Sequence, residues 1–370
     1  MTLFNRALAR AVKNRQNATM KNAIRAGMAL LLLSSTACQS FYLLDQGIKN
    51  LDILEGAIEI ESNGEPHVDG VDLNDEETEK LALIGQIRQF AAEELGLAVG
   101  NAYTSFYEVP DDAISYAVTA AHPLALVPYQ WRFPFVGRVA YKGYFERADA
   151  EAEAKRLHDE GWDIHISPVA AFSTLGWFDD PVLSTMLEYS AGGLADVIIH
   201  ELAHRTVYFK NATDVNESMA TLVGRHGTRL FLRKRYGDNS EQLQQYERNL
   251  RLNDFRSAIL SRLRNDLDAL YRSQFDADRK LLRKKELFAH ASELLFPQAD
   301  HPESVLPPSN ANIISRKQYS DHVELFAQVL DIFGGETRKF MAFLKELPDS
   351  DDPLPEIRKL LGLDESGQRT

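Results

Sequence analysis

Only one cysteine, Cys38, occurs in the 370 residues. An intrachain disulfide is therefore impossible, and so is a zinc site built on cysteines. Long apolar runs are also missing. The main one, Ala26 to Leu33, is too short to cross a bilayer as a helix. The chain has no internal repeat and no Gly-rich phosphate loop. Positive charge is in deficit, with 41 Lys and Arg against 54 Asp and Glu, a net charge of −13. Six of the basic residues (Arg6, Arg10, Lys13, Arg15, Lys21, Arg25) precede Cys38 with no acid among them, so the remainder is more acidic still. Such a surface repels phosphate backbones, which argues against a nucleic-acid partner. Apolar residues make up 44% of the chain, enough for a substantial core in one large or two smaller domains.

The residues that carry chemistry are concentrated between Asp196 and Glu217. His200-Glu201-Leu202-Ala203-His204 fits the pattern H-E-x-x-H. Residues four apart share one helix face, so His200 and His204 can offer two nitrogens to one metal ion. Glu201 stands beside them, where it can reach a water at an open coordination position and act as general base. The apolar run Val197-Ile198-Ile199 and the pair Leu202-Ala203 imply that one flank of this helix is buried.

A catalytic zinc usually takes a third protein ligand. The metzincin extension would need Gly at 207 and His at 210, where the chain has Val207 and Lys210. Between Arg205 and Gly237 the carboxylates are Asp214 and Glu217, and the one imidazole is His226. The first helix is expected to end near Phe209, with a turn at Lys210 to Thr213 and Asp214 as the next N-cap. A short turn makes the second helix antiparallel and adjacent, which brings Glu217 back toward His204. The competing reading is that Asp214-x-x-Glu217 is only a capping box. His226 is the understudy for the third ligand.

HELAH followed by Asn216-Glu217-Ser218 resembles the gluzincin group of zinc peptidases. Three blocks, at 131–145 (WRFPFVGRVAYKGYF), 171–183 (AFSTLGWFDDPVL) and 198–221, resemble a group of bacterial lipoproteins described as predicted aminopeptidases. The block SNANIISRKQY at 309–319 does so more weakly. The resemblance implies one zinc ion per chain, a Glu on the following helix as third ligand, a peptide substrate and aminopeptidase activity. Residue spacing by itself supports metal-assisted hydrolysis. Zinc hydrolysis develops charge on a carbonyl oxygen, and a Tyr or His donor often meets it. Tyr319, in the last of those blocks, is the candidate donor, with Tyr144 and His226 as competitors. From a different class, a non-catalytic scaffold or chaperone-like lipoprotein with a vestigial metal site is the alternative; the intact Glu201 argues against it.

Residues 1–37 read as a targeting segment. Small residues ahead of Cys38 resemble a bacterial lipobox, which would lipidate Cys38 and hold the protein on the periplasmic face of the envelope, at the outer membrane. Residues 38–370 then form a zincin-like peptidase domain of α+β class, mostly α. It divides into a catalytic region at 38–238, a long helical hairpin at 239–296 and a C-terminal helical region at 297–370. Phe41 to Ile60 reads as helical. Asn74 and Glu77 form a capping box for a helix with its stripe at Leu81, Ile84, Ile87, Ala91 and Leu95, stopped by Gly96. Val136 to Phe145 and Trp162 to Ile166 read as strands around a helix at Glu146 to Glu160, which suggests a small mixed sheet. Phe172 to Phe178 is expected to be its edge, where Ser173, Thr174 and Gly176 would pair with a peptide substrate. Asp180-Pro181 reads as a helix start. Leu243, Tyr246, Leu250, Phe255, Ile259, Leu263, Leu267 and Leu270 form the hairpin's stripe, with a break at Ser273 to Asp276. The long helices could also receive a protein partner.

Overall fold

A computed structural model describes residues 53, 56–61, 66–110, 113–133, 137–169, 179–210, 212–299, 306–315, 322–347 and 352–364. Cys38, Ser173, Thr174, Gly176 and Tyr319 lie outside the described residues, as does most of 1–57.

The architecture is α+β and mostly α. Strands β1 (Ile58–Glu61) and β2 (His67–Val68) form an antiparallel pair. The expected helix through Ile60 is therefore corrected at its end. The alternation of Ile58 and Ile60 follows a strand period, and Ile58 pairs with Phe106 across the sheet. Helix α1 (Asp75–Glu93) starts where its capping box lies. The Asn74 side chain accepts from the Glu77 N–H at 3.0 Å, and the Glu77 carboxylate accepts from the Asn74 N–H at 2.9 Å. Its stripe is buried and it stops before Gly96 at φ +71°.

Strand β3 (Ser105–Tyr107) lies beside β1, and on its other side it runs parallel to β9 (Val182–Leu183), giving a mixed four-stranded sheet in the order β2-β1-β3-β9. Asp180-Pro181 thus leads into a strand followed by a 3-10 turn (Ser184–Glu188), not into an α-helix. A second sheet has the order β7-β4-β8, from β4 (Ser115–Ala121), β7 (Tyr141–Tyr144) and β8 (Asp163–Val169), antiparallel throughout. It is the sheet expected from the strand-helix-strand pattern, with β4 inserted between the two strands that flank α2 (Arg147–Asp159). That insertion is why it is not mixed. β5 (Trp131–Phe133) and β6 (Gly137–Val139) form a separate hairpin.

Helices α3 (Ala191–Thr206) and α4 (Thr213–Tyr236) are the centre of the main core. Ser190 caps α3 by accepting from the Gly193 N–H. Leu194, Ala195, Ile198, Ile199, Leu202 and Ala203 are all essentially inaccessible. The two helices meet at Gly224. A Cβ there would lie 2.7 Å from an Asp196 carboxylate oxygen and 3.3 Å from the His200 Cβ. Only hydrogen at that position allows the backbones to approach this closely beneath His200.

Helix α5 (Glu241–Arg272) begins on this core through Leu243, Tyr246 and Leu250 and ends in a second one with α6 (Ala277–Leu295), where Leu263 and Leu267 pack against Phe288 and Ala291. The hairpin and its break are as expected, with Asp276 capping α6 through the Arg279 N–H. Phe255 departs from the expected stripe and is 55% exposed. It falls where α5 passes between the two cores, so nothing covers that turn. Short helices α7 (Asn310–Ser315), α8 (Val323–Ile332), α9 (Thr337–Glu346) and α10 (Leu354–Leu360) complete the chain.

Helix α7 sits against the antiparallel sheet through buried polar groups. Asn310 donates from its side chain to the carbonyls of His122, Pro123 and Ala125, and from its backbone to Asp163 at 2.6 Å. Tyr271 donates to the Asn310 side-chain oxygen at 2.7 Å, and Ser309 to the Ile164 carbonyl at 2.8 Å. Lys284, 3% exposed, pairs with Asp163 and donates to the Pro123 carbonyl. The SNAN segment therefore has a packing role, which its polar composition hid: it fastens the hairpin to the sheet. No described helix is long and apolar enough to cross a membrane.

Candidate metal centre

Helix α3 carries His200 and His204 one turn apart, with their Nε2 atoms 3.1 Å from each other. The turn from Val207 to Ala212 reverses the chain, and α4 runs back along α3. Asn216 holds this turn closed. Its side-chain oxygen accepts from the Phe209 N–H at 2.8 Å, and its amide donates to the Phe209 carbonyl at 2.7 Å. With Asn216 1% exposed, both backbone groups of the buried Phe209 are satisfied by one side chain. The next residue, Glu217, is thereby aimed at the histidines. Its carboxylate oxygens lie 3.4 Å from the His200 Nε2 and 3.6 Å from the His204 Nε2.

The capping-box alternative does not describe this turn. The N-cap of α4 is Ala212, without a side-chain cap, and Asp214 sits inside the first turn. His226 is not the understudy either. It lies nine residues beyond Glu217, about 13 Å along the helix, with its Nε2 3.0 Å from the Gly335 carbonyl. There it ties α4 to the turn after α8, and burial pushes its imidazole below the usual range. Tyr144 is buried in the core of the antiparallel sheet.

The electrostatics follow from this crowding. Burial disfavours charge on His200, but the carboxylates of Glu217, Glu201 and Asp196 outweigh it and raise the imidazole. Burial would likewise raise Glu217; hydrogen bonds from His200 and His204 win and hold its carboxyl at about 2. Asp196, one turn before His200, is raised chiefly by burial. The site is a preformed cluster in which two imidazoles face one carboxylate.

His200, His204 and Glu217 are the one group of metal-ligating side chains that converge among the described residues, with ligand atoms all within 4.8 Å of one another. The fit to an ion can be tested by distance. Ligands about 2.0–2.1 Å from a tetrahedral metal stand about 3.4 Å apart. The two imidazole nitrogens, 3.1 Å apart, come near that value, and each faces its own Glu217 oxygen, at 3.4 and 3.6 Å, so the group is compact enough to be compatible with one ion. The donor set, two nitrogens and a carboxylate, suits a first-row divalent ion and leaves a fourth position open.

A family model described as "Putative aminopeptidase" matches residues 41–358. The chain belongs to this family. No curated protein and no solved structure matches it. Membership in an aminopeptidase family gives the trio a peptidase context that geometry cannot supply.

Two residues of the site were not singled out by sequence reasoning. Asn216 had a signal, since it precedes Glu217 in the very block that resembled the family. Tyr208 had none. It projects from the turn, 49% exposed, with its ring 6.5 Å from that of His204.

Proposed function

We propose that this member of the aminopeptidase family is a zinc-dependent peptidase that removes N-terminal residues. The observation that carries the reading is the trio itself: two Nε2 atoms and a carboxylate that converge within 4.8 Å of one another, with Glu201 adjacent on the same helix. Bound there, zinc supplies Lewis acidity that polarises a peptide carbonyl and makes water a nucleophile near neutral pH. His200, His204 and Glu217 hold the ion. Glu201, partly exposed on α3, takes the proton of the attacking water and passes it to the departing amine. Ser173, Thr174 and Gly176 remain the proposed strand for substrate pairing, and Tyr319 the proposed donor to the carbonyl oxygen.

The ligand set is tested by metal content after dialysis. Glu217→Ala loses the zinc that the wild type retains, and Glu217→Gln holds it weakly. Asn216→Ala, which opens the turn, also weakens retention while leaving all three ligands in the sequence. Full zinc in all three variants sinks the assignment.

Anchoring at the bacterial envelope is proposed on the apolar segment before Ala37-Cys38. The mature protein partitions into detergent and takes up a labelled fatty acid, and Cys38→Ser abolishes both. Unchanged processing and membrane association of that variant discards the anchor.

A further inference from the structure

The turn that brings Glu217 to the histidines also displays one side chain beside them. Val207 ends α3 in extended backbone, at φ −139° and ψ 129°. Along extended backbone successive side chains point to opposite sides. Val207 and Phe209 accordingly turn inward, each 7% exposed, and Tyr208 between them turns outward, 49% exposed. The backbone on both sides of it is pinned. The Val207 N–H donates to the Ala203 carbonyl at 2.9 Å, and Asn216 binds the N–H and the carbonyl of Phe209. Tyr208 therefore leaves from a fixed base. A tyrosine has only two side-chain torsions to order, so a ring on such a base offers contact area at low entropic cost.

The ring does not simply face away from the molecule. Its centroid lies 6.5 Å from that of the His204 imidazole, with the two planes at 65°. His204 is the inner member of the trio, its side chain 2% exposed. His200 and Glu217 keep 23% and 25% of their side chains in solvent. The trio is thus reached from outside past His200 and Glu217, while the Tyr208 ring runs from His204 to the surface as a wall of the same opening. Ligand sites are commonly lined by aromatic rings, whose bodies take apolar groups while a polar tip stays wet. A peptide carbonyl at the open coordination position brings the side chains next to it within a few ångströms of the ligands, which is where this wall stands.

We propose that Tyr208 is a specificity-determining residue: its ring takes the substrate side chain that adjoins the bond attacked and favours aromatic and large aliphatic side chains over glycine there. The proposal rests on the peptidase reading for the nature of the substrate, but the ring's place beside His204 does not. Its hydroxyl has no part in the contact, unlike that of the donor proposed at Tyr319.

The first measurement is steady-state hydrolysis of two free-amine peptides by the zinc-loaded full chain, one starting with Phe and one with Gly. The wild type prefers the Phe peptide in kcat/KM. Tyr208→Ala lowers kcat/KM for it roughly tenfold, the scale of one aromatic contact, and leaves the Gly peptide nearly unchanged. Tyr208→Phe keeps the preference, because the ring remains. Zinc content and melting temperature stay near wild type in both variants, since the side chain is half exposed. The second measurement needs no turnover. Phenylalanine hydroxamate and glycine hydroxamate are titrated calorimetrically into the zinc-loaded chain, and the preference for the first falls roughly tenfold in Tyr208→Ala alone. A wild type without preference overturns the proposal, as does an equal loss on both peptides in Tyr208→Ala. So does a Tyr208→Phe variant as impaired as Tyr208→Ala, which moves the role to the hydroxyl. If the wild type hydrolyses neither peptide, the peptidase reading falls, and the hydroxamate preference alone decides whether Tyr208 holds the ligand side chain. Hydroxamates that bind without preference, or not at all, overturn it.

Discussion

Replacing Glu201 by Gln leaves zinc content and melting temperature near wild type and cuts peptide hydrolysis by roughly 10²- to 10⁴-fold. The reason lies in which groups converge. The side chains that could hold an ion are His200, His204 and Glu217, and Glu201 is not among them. Gln keeps the size and the hydrogen-bonding shape of Glu but cannot accept the proton of the attacking water. The assay compares a free-amine peptide with its N-acetylated twin. An exopeptidase cleaves only the first, because acetylation removes the charge its site must recognise. Equal cleavage of both discards the aminopeptidase reading and keeps the peptidase. A zinc-replete wild type that cleaves neither these nor a diverse peptide library, with Glu201→Gln complementing a deletion strain normally, replaces the enzyme with a scaffold.

The largest stability effect is expected far from the metal. Asp163→Ala destabilises by about 3–5 kcal/mol, because it strands the Lys284 ammonium, 3% exposed, without its counter-charge. It also removes the acceptor of the Asn310 N–H. Lys284→Met is milder. Asp163 then keeps the Asn310 N–H and a measure of solvent, with 15% of its side chain exposed, while the methionine fills the space of the lysine stem. Denaturant melts of the two variants compare them directly, and equal losses overturn the asymmetry. Because the pair joins the hairpin to the sheet, Asp163→Ala also raises protease sensitivity in α6.

The parts that were legible from sequence were those with local causes. The capping box at Asn74 and Glu77, the stop at Gly96, the break at Ser273 to Asp276 and the reversal that brings Glu217 to the histidines all follow from near neighbours along the chain. The misreadings came from partners distant in sequence. Ile58 and Ile60 looked helical until β3 and β2 paired with them. β4 entered between two strands that the sequence order places together. Asp214 resembled a cap, but Asn216 holds the turn, so the helix starts two residues earlier, with Ala212 as its N-cap. The role of Asn310 was hidden because its acceptors are carbonyls some 185 residues upstream, which no pattern of residue types displays.

The compactness of the ligand set bears on the order of assembly. Its three members span only His200 to Glu217, so closing the loop between them costs little chain entropy. The latch at Asp163, by contrast, joins residues 122–125 to 284 and 310, and it cannot form until nearly the whole chain is present. A chain emerging from its N-terminus completes α3 and α4 before α6 and α7 exist. The hairpin of α3 and α4 is therefore the early, local event, and docking of the long helices against the sheet is the late, slow one. Metal capture by the nascent hairpin would then precede closure of the molecule around it.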